Sequence, residues 1–400
     1  MRSYILAVGA VLFLTACAGP HTQPQILPAS NASAIAHPNG SSSIQHVIVM
    51  VQGHRGFDNL FAGFPGAASS KVGIVHTGRR VPLRPMTMTK HPSSLASLGA
   101  FQIAYNNGKL DGFDLVYPSQ ALFPYHFVEH SEISAYWSLA KHFAVADHMF
   151  STSISNSAFV AQLYLLAARS QVKPGEYIAD HPSQEPWGCD APPGTTTPVY
   201  SRQGIKVDGP YPCFSWGSLP QLLDAARVTW RYYLPTNGRD TNAIDSIRYV
   251  RITKDWRRDV TMPQTTILSD ISQGTLPQVA WVFADVLDSD NPGTGSGSRW
   301  VSRVVGALRN SPYWQHSAVI IVWEASDFFY DEVPPPRLDP VELGFRVPLI
   351  VVSPYAKPGY VSHTQYEFGS ILRFIEETFA LPSLGETDAR ANSLSDMFTF

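Results

Sequence analysis

The sequence predicts an α/β fold, a three-layer α/β/α sandwich with a mostly parallel central sheet. The first observation is a set of continuous apolar runs at 46–51, 279–283, 318–323 and 349–352. Runs of this kind are typical of parallel strands that are covered on both faces. The second is a set of segments with helical spacing at 136–143, 162–168, 218–226, 300–309 and 370–379. Strands that alternate with helices favour helices on both faces of one sheet.

Length and composition favour one large domain and disfavour a nucleic-acid role. The chain has 400 residues, of which 44% are apolar and 15% charged, so it can bury a large core. Its 29 Lys and Arg residues are balanced by 32 Asp and Glu residues, which argues against binding to nucleic acid. Because neither a long flexible break nor an internal repeat is visible after residue 44, we expect a single domain over 44–400.

The N-terminus resembles a bacterial lipoprotein export signal. Residues 1–16 combine an early Arg2 with an apolar run that is too short to span a bilayer. The run ends in LTAC, which resembles a lipobox whose cleavage leaves Cys17 as a lipidated N-terminus. The alternative is an ordinary signal peptide with an incidental cysteine. Ala18 resembles the outer-membrane sorting pattern, and residues 17–43, rich in Pro, Ser and Ala, predict a flexible tether.

The other two cysteines, Cys189 and Cys213, form an even pair in a chain that is expected to reach an oxidising compartment. A disulfide between them would stabilise the protein by about 3 kcal/mol. The alternative is a pair of metal-binding thiols, but neither cysteine has a further Cys or His at ligand spacing. We therefore expect a disulfide within the Pro-, Gly- and Thr-rich excursion at 184–217.

A functional site is expected at the carboxyl ends of the predicted strands, where open α/β sheets bind their ligands. The loops that follow Val51, Phe283 and Trp323 are therefore the places to search for chemistry. The excursion at 184–217 is expected to cover this site or to pack on its rim.

Several segments resemble the motifs of a bacterial phosphoesterase family that includes phospholipases C and certain acid phosphatases. The loop after Val51 reads QGHRGFDNLFAGFPG, where the family typically has QENRSFD followed by an aromatic residue, Gly and Pro-Gly. Further matches, in family order, are NNGKLDGFD at 106–114, YWSLAKHFAVADHMFSTS at 136–153, DFFYDEVPPP at 327–336 and GFRVPLIVVSPYAKPGYVSHTQYEFGSILRFIEETF at 344–379. The resemblance covers nearly the whole predicted domain and implies an alkaline-phosphatase-like sandwich.

The resemblance implies metal-assisted displacement at phosphorus, in which a Ser or Thr attacks and a cation held by carboxylate and amide oxygens stabilises the charge. In the first loop the family's Glu and Asn ligands fall on Gly53 and His54. Glycine offers no ligand, and an imidazole differs from an amide oxygen in softness and geometry. Arg55 is retained as a candidate for holding phosphoryl oxygens, and the alternative for Arg55, Phe57 and Asp58 is a role in loop structure.

The family's nucleophile loop resembles the segment FSTSISNSAFVAQLYLLA at 150–167. Matching backwards from YLLAARS indicates a one-residue insertion, which makes Ser157 the first candidate for the nucleophile and Ser155 the second. The family's Pro before the nucleophile becomes Asn156, and its His in the following helix becomes Gln162.

The remaining family positions are also altered. After the second apolar run, a pattern like NSDHPG becomes DSDNPG, so Asn291 stands in place of a histidine and can donate a hydrogen bond but cannot carry a proton. After the third run, WDDxGGxYDH becomes WEASDFFYDE. Glu324 replaces the first acid, Ala325 replaces the second, and Asp327 and Phe328 replace two glycines. Phe328 is therefore expected to fill space that the family keeps open.

The resemblance implies a hydrolase of phosphoric esters, but our favoured hypothesis is a pseudoenzyme with a binding or accessory role, because Gly53 and Ala325 delete two ligand positions. The second hypothesis is an active hydrolase of phosphate esters with Ser157 as nucleophile and a rebuilt divalent-metal site. Its metal ligands would include His54, Glu324 and Asp327, and further acids on the same predicted loops are Asp58, Asp290, Asp331 and Glu332. The third is a structural envelope lipoprotein.

These hypotheses differ in the expected cofactors and partners. The first expects no cofactor, and the second expects a divalent metal. The expected ligand is a phosphate ester or a phospholipid, and the expected membrane contact is the N-terminal lipid at Cys17. An open space between the loops at 53, 157 and 325 would favour a ligand, whereas filling by Phe328 and Phe329 would favour a structural role. The oligomeric state does not follow from the sequence.

Overall fold

The computed structural model describes Met1 and residues 43–90, 97–238, 241–290 and 295–400. By its internal contacts the chain divides into 1–33 and 34–400, and the fold below is that of the second unit. Apart from Met1 and Ser43, the predicted signal peptide at 1–16, the lipidated Cys17 and the tether at 17–43 lie outside the described residues. No helix in the described ranges has both the length and the apolarity that a membrane span requires.

The strands of the described residues include all four predicted apolar runs. They are β1 (His46–Gln52), β2 (Val72–Ile74), β3 (Arg80–Pro82), β4 (Arg84–Met86), β5 (His126–Val128), β6 (Ala144–Ala146), β7 (Gln171–Lys173), β8 (Glu176–Ile178), β9 (Val199–Tyr200), β10 (Lys206–Val207), β11 (Trp230–Tyr233), β12 (Val260–Thr261), β13 (Val279–Phe283), β14 (Ser317–Trp323), β15 (Leu349–Val352) and β16 (Tyr360–Ser362).

Eight of these strands form the central sheet in the order β12-β11-β13-β1-β14-β15-β6-β16. The first five strands in this order, β12, β11, β13, β1 and β14, are parallel to one another, and β6 pairs with β16 in parallel. Strand β15 is antiparallel to both β14 and β6. The predicted mostly parallel sheet is therefore confirmed, with one reversed strand. Because the reversal at β15 restores the direction at β6, the carboxyl ends of β1, β14, β6 and β16 lie along the same edge.

The helices of the described residues include the five that helical spacing predicts. They are α1 (Phe57–Phe61), α2 (Leu98–Tyr105), α3 (Phe113–Val116), α4 (Ser134–His142), α5 (Ala158–Ala167), α6 (Leu219–Ala225), α7 (Arg248–Ile252), α8 (Asp255–Arg258), α9 (Thr266–Gln273), α10 (Gly297–Arg309), α11 (Phe368–Phe379) and α12 (Thr387–Arg390).

Two kinds of helix cover the sheet. Helix α10 buries Trp300, Val301, Val304 and Leu308, whose spacing of three to four residues forms one apolar stripe. Helix α5 is buried almost all round, which explains why its sequence AFVAQLYLLA lacks a polar face. These helices pack with the sheet strands into one large apolar core, so the predicted α/β sandwich is confirmed.

The predicted disulfide is also confirmed. Cys189 and Cys213 are bonded, with their Cα atoms 4.5 Å apart. The chain around them forms a second, four-stranded sheet in the order β10-β9-β8-β7. Trp187 of the excursion meets Phe159 of α5 edge to face, with ring centroids 5.5 Å apart, so this region packs beside α5.

Candidate functional site

The ends of β1 and β14 bring the altered family positions together. These neighbouring strands are parallel, and Gln52 is the partner of Trp323 in their register. The backbone N–H of Glu324 donates to the carbonyl of Gln52 over 3.2 Å, which extends the pairing by one residue. Gly53 and Glu324 therefore leave the sheet side by side, at the edge where α/β proteins bind their ligands.

His54 lies between two carboxylates. Its Nδ1 atom is 3.1 Å from Oδ1 of Asp327, and its Nε2 atom is 3.9 Å from Oε2 of Glu324. All three residues are at most 9% exposed. Burial opposes charge on the His54 ring, but the Asp327 and Glu324 carboxylates outweigh it, so the pKa of His54 is raised. The structure thus brings these three predicted site residues together as a buried imidazole with two acids.

Asn156 holds Asp327 by two reciprocal hydrogen bonds. The Asn156 amide Nδ2 donates to Oδ1 of Asp327 over 3.1 Å, and the Asp327 backbone N–H donates to Oδ1 of Asn156 over 3.0 Å. Both residues have left-handed backbone conformations, with φ of 58° and 55°. Such conformations are unusual for residues with a side chain but are tolerated by Asn and Asp. The paired contacts compensate for this cost and fix the carboxylate against His54.

Gln162 holds the second carboxylate. Its Nε2 atom donates to Oε1 of Glu324 over 2.9 Å, and its Oε1 atom accepts the backbone N–H of Ala243 over 3.1 Å. Burial raises the pKa of the Glu324 carboxyl, while His54 and Gln162 oppose this rise. Helix α5 thereby ties the acid at the end of β14 to the loop after β11.

An open cavity of about 480 Å³ lies over these strand ends. Gly53, Gln162 and Glu324 line it together with the ends of β1 and β13, and the loops after β11 and β13 supply the rest of its described lining. Among the described lining residues none is a Lys, Arg or His, whereas Asp285 and Glu324 are acidic. The lining does not include the excursion at 184–217, which packs beside α5 instead.

The two aromatic side chains expected to fill this space are buried elsewhere. Phe328 belongs to a second apolar cluster, where its ring lies 6.1 Å from that of Phe345. Phe329 packs in the main core, 5.9 Å from the ring of Phe123. The expectation that Phe328 fills the site is therefore wrong, because the left-handed backbone at Asp327 and Phe328 turns this segment toward the second cluster.

The residues at the strand ends do not fit the family's metal. Hard cations require several oxygen ligands, but Gly53 and Ala325 supply no side-chain oxygen. Across the described ranges, His54, Glu324 and Asp327 do not bring three ligand atoms within 4.8 Å of one another. The carboxylates of Glu324 and Asp327 instead accept hydrogen bonds from neighbouring amides. No catalytic step through a metal follows from this arrangement.

The two candidate serines lie at the start of α5. Ser157 is the residue before the helix, and its backbone N–H donates to Oγ of Ser155 over 3.4 Å. The Ser155 hydroxyl is in turn 2.8 Å from that of Ser153, so Ser155 serves the local loop. Ser157 follows Asn156 directly and is therefore next to the residue that holds Asp327. This position keeps Ser157 ahead of Ser155 as the candidate nucleophile.

The Arg55 side chain forms hydrogen bonds with backbone carbonyl groups of the loops around it. It is fully buried and donates to the carbonyls of Met88, Lys90 and Asp290 over 2.5 to 3.2 Å. Its guanidinium also lies 5.3 Å from the centre of the Phe329 ring. These contacts support the alternative in which Arg55 organises the loop. The other candidate for an oxyanion contact, Asn291, lies outside the described residues.

Two of the remaining predicted acids belong to a different cluster. Asp58 and Asp331 face Arg346, whose Nε donates to Asp331 over 2.8 and 3.0 Å and whose Nη2 lies 3.4 Å from Asp58. Asp290 accepts hydrogen bonds from Tyr136 and from the indole of a tryptophan on β14. The acidic loops therefore separate into several buried groups and do not form one site.

The site also contains residues that sequence reasoning did not assign. Asn156 and Gln162 were seen only as replacements of a family Pro and His, although both now bind carboxylates. Residues 234–238, 241 and 242 line one side of the cavity, and none of them was assigned to the site from the sequence. One signal for this site was available in the sequence, the amide side chain of Gln162 within the otherwise apolar helix α5. A buried amide requires a hydrogen-bond partner, so its presence indicates a polar neighbour.

Comparisons with curated proteins identify phospholipases C. The chain is 24% identical to non-hemolytic phospholipase C of Pseudomonas aeruginosa over 451 residues, covering 95% of this chain and 60% of that protein. It is 23% identical to phospholipase C A of Mycobacterium tuberculosis over 430 residues, covering 90% of this chain and 77% of that protein. The chain thus spans only 60% and 53% of the two Pseudomonas aeruginosa phospholipases C that it matches.

Among solved structures, the chain is similar to the lipoteichoic acid synthase LtaP from Listeria monocytogenes, with a TM-score of 0.44, 10% identity, and 87% and 76% of the two chains covered. It is also similar to a protein in the alkaline phosphatase superfamily from Vibrio parahaemolyticus, with a TM-score of 0.40, 9% identity, and 90% and 75% covered. The Phosphoesterase family model matches residues 44–382, which is most of the chain. The chain belongs to the Phosphoesterase family.

Proposed function

We propose that this protein is a catalytically impaired member of the Phosphoesterase family that binds a phospholipid headgroup at the ends of its strands. The observation that carries the proposal is the internal pairing of the remaining acids. Asp327 is bonded to Asn156 and His54, and Glu324 is bonded to Gln162. Metal binding would have to break these contacts and would still lack oxygen ligands where Gly53 and Ala325 stand.

The cavity lining supports a zwitterionic ligand over a phosphate monoester. A doubly charged monoester would meet the carboxylates of Asp285 and Glu324 without a cation among the described lining residues. A phosphate diester that carries a quaternary ammonium places a positive charge beside those acids. The rim adds apolar surface, because Val286 and Leu287 line the cavity and are 55% and 63% exposed. Such a rim suits the glyceride part of a phospholipid.

The second candidate function is an active phosphate-ester hydrolase with Ser157 as nucleophile. The favouring observation is that Ser157 adjoins the His54–Asp327 pair through Asn156. A buried imidazole oriented by a carboxylate on Nδ1 is the arrangement that activates hydroxyl nucleophiles in other hydrolases. Against it, the second ring nitrogen of His54 faces Glu324 at 3.9 Å.

Turnover of an aryl phosphate and of dihexanoyl phosphatidylcholine separates the two functions. We expect no hydrolysis of either probe by the purified full-length protein with added Mg²⁺, Ca²⁺, Mn²⁺ or Zn²⁺. Calorimetry should detect binding of the phosphatidylcholine, and Thr236→Trp at the exposed cavity wall should weaken it by about tenfold. Metal-dependent turnover that disappears in Ser157→Ala would overturn the proposal and establish the hydrolase.

A restoration experiment tests the assignment of the lost ligands. The variant G53E/H54N/E324D/A325D rebuilds the family pattern at both strand ends. We expect it to bind a divalent cation that the parent does not retain at this site, because it has four oxygen-bearing side chains at these positions where the parent has only Glu324. If the variant folds but binds metal no better than the parent, the loss of ligands at these four positions is not enough to explain the lack of a metal site. Circular dichroism and the urea midpoint serve as controls for folding.

We also propose that the protein is exported and anchored by lipid at Cys17, in the outer membrane. The LTAC sequence and the Pro-, Ser- and Ala-rich segment that follows support this proposal. Metabolic labelling with a fatty acid and membrane fractionation test it. We expect labelled protein in the outer-membrane fraction and loss of both signals in Cys17→Ser. Labelling that persists in Cys17→Ser would contradict the anchor.

A further inference from the structure

Two histidines and an aspartate meet at the far end of the same sheet edge. Asp147 follows β6 directly, and His363 follows β16 directly. These strands are parallel, with Ala146 opposite Ser362, and the backbone N–H of Asp147 donates to the Ser362 carbonyl over 3.1 Å. Their carboxyl ends therefore coincide, as those of β1 and β14 do, and the reversed strand β15 lies between the two pairs.

The Asp147 carboxylate forms hydrogen bonds with both imidazole rings. Its Oδ1 atom is 2.6 Å from Nδ1 of His148, and its Oδ2 atom is 2.8 Å from Nδ1 of His363. The two rings are nearly perpendicular, at 88°, with centroids 6.2 Å apart. One ligand atom of each of the three residues lies within 4.8 Å of the others. Two ligand atoms of one tetrahedral Zn²⁺ ion lie about 3.3 Å apart, so a bound ion would replace the hydrogen bonds to Asp147 and move these atoms slightly apart.

The three side chains differ in burial, because the aspartate is buried and the two histidines are partly exposed. The Asp147 side chain is 0% exposed, whereas those of His148 and His363 are 27% and 61% exposed. The Asp147 carboxylate is held by the backbone N–H of Ala68 over 2.6 Å. A cation can thus reach this group from the solvent through the exposed sides of His148 and His363.

We propose that Asp147, His148 and His363 bind one divalent transition-metal ion of the zinc class. Two imidazole nitrogens and one carboxylate favour Zn²⁺ and its transition-metal neighbours over Mg²⁺ or Ca²⁺, which prefer oxygen ligands. Without metal, each Nδ1–H group donates to Asp147. A ring nitrogen that binds the metal carries no proton, so each imidazole would coordinate through one nitrogen and keep its proton on the other.

The other group of acids with metal-ligand spacing does not support such a proposal. Asp224, Asp255 and Asp259 also bring three ligand atoms together. However, Arg258 contacts all three carboxylates and supplies their positive charge from within the chain. This group also lacks a histidine, so the pair of imidazoles distinguishes the site at Asp147.

A metal at this site would join three separate parts of the chain. Asp147 and His363 bind the ends of two strands together, and the Ala68 loop is attached through the carboxylate. The guanidinium of Arg346 donates from Nη1 to the carbonyls of both Ala68 and Asp147, at 2.7 Å each. Metal binding should therefore raise the unfolding temperature, because the ligands are assembled only in the folded chain.

Zinc calorimetry on untagged full-length protein, together with metal analysis, tests the proposal. We expect one Zn²⁺ per chain and a higher melting temperature. His363→Ala and His148→Ala should each weaken binding by at least about tenfold. His142→Ala is the matched control, because this exposed histidine ends α4 and belongs to neither site. The Zn²⁺ affinity of His142→Ala should equal that of the parent protein. His363 is 61% exposed, so its removal tests the ligand without endangering the core.

The remaining outcomes overturn the proposal. Absence of Zn²⁺ binding, or binding that survives in both His363→Ala and His148→Ala, would show that the group only shares protons. Binding that is lost in His54→Ala but kept in His363→Ala would place the metal at the ends of β1 and β14. Cobalt substitution adds a spectroscopic check, since visible absorption of Co²⁺ that changes in His363→Ala reports an imidazole ligand directly. These results are independent of phosphate-ester turnover.

Discussion

Replacement of Arg346 by Met is expected to destabilise the protein by about 3–5 kcal/mol, because it removes one partner of a buried ion cluster. The Arg346 side chain is 0% exposed and lies between Asp331 and Asp58, which are 1% and 0% exposed. It also donates to two backbone carbonyls and stacks 4.8 Å over the ring of Phe57. Methionine keeps much of the apolar stem but leaves both carboxylates without their cation.

The loss should depend on pH in a defined direction. Burial raises the pKa of Asp58 and of Asp331 above the ordinary value of 3.8, and Arg346 opposes the rise in both. Without Arg346 both pKa values rise further, so the folded state binds more protons than the unfolded state over a wider range. Stability then falls over a wider pH range above 3.8, and the total loss is larger. The deficit of the variant should therefore be larger at neutral pH than near pH 4.

Urea denaturation followed by tryptophan fluorescence measures this effect. Lys173→Met is the control, because Lys173 pairs with Glu176 at 3.0 Å on the surface, where removal should cost less than about 1 kcal/mol. The double variant R346M/D331N should recover part of the loss, since one uncompensated carboxylate is neutralised. An R346M protein within about 1 kcal/mol of the parent at neutral pH would refute the reasoning.

Burial lowers the pKa of His54, but the Asp327 carboxylate raises it, and the result is a pKa above the ordinary value of 6.5. Protonated His54 therefore stabilises the fold below pH 6.5, and this stabilisation is lost as the pH rises through the pKa of the folded state. NMR titration should show that Asp327→Asn lowers the pKa, and an unchanged value would contradict the pairing. C189A/C213A, which opens a loop of 24 residues, should lose about 3 kcal/mol in urea; an unchanged midpoint would contradict this. Burial raises the pKa of the Glu342 carboxyl from 4.5 to about 7, so the free energy of unfolding should fall as the pH increases between these two values. Glu342→Gln should reduce this pH dependence, and an unchanged pH dependence in the variant would refute the prediction.

The fold was predictable where a strand is long and apolar. The runs at β1, β13, β14 and β15 are buried along nearly their whole length, and continuous burial leaves a direct record in the sequence. Strand direction leaves no such record, which is why the antiparallel setting of β15 was not foreseen. Strands β6 and β16 have three residues each, too few for a periodic pattern.

The candidate site was predictable only in part. Alignment with family motifs located Gly53 and Ala325, because a missing side chain can be read from sequence directly. The hydrogen bonds of Asn156 and Gln162 could not be read in this way, since their partners lie 171 and 162 residues away along the chain. The direction of Phe328 also depends on a backbone turn, which sequence alone does not fix for an aromatic residue.

The family-like residues divide by physical role. Asp58, Asp331 and Arg346 come from three different family-like segments and meet in one buried ion cluster, where loss of any partner leaves a charge unpaired. Gly53 and Ala325 carry no such penalty, because neither side chain bears a charge that could be left unpaired. Sequence similarity can therefore persist over most of the chain while the chemistry at the strand ends changes. For this chain, membership of the Phosphoesterase family predicts the scaffold, but a scaffold does not by itself determine an activity.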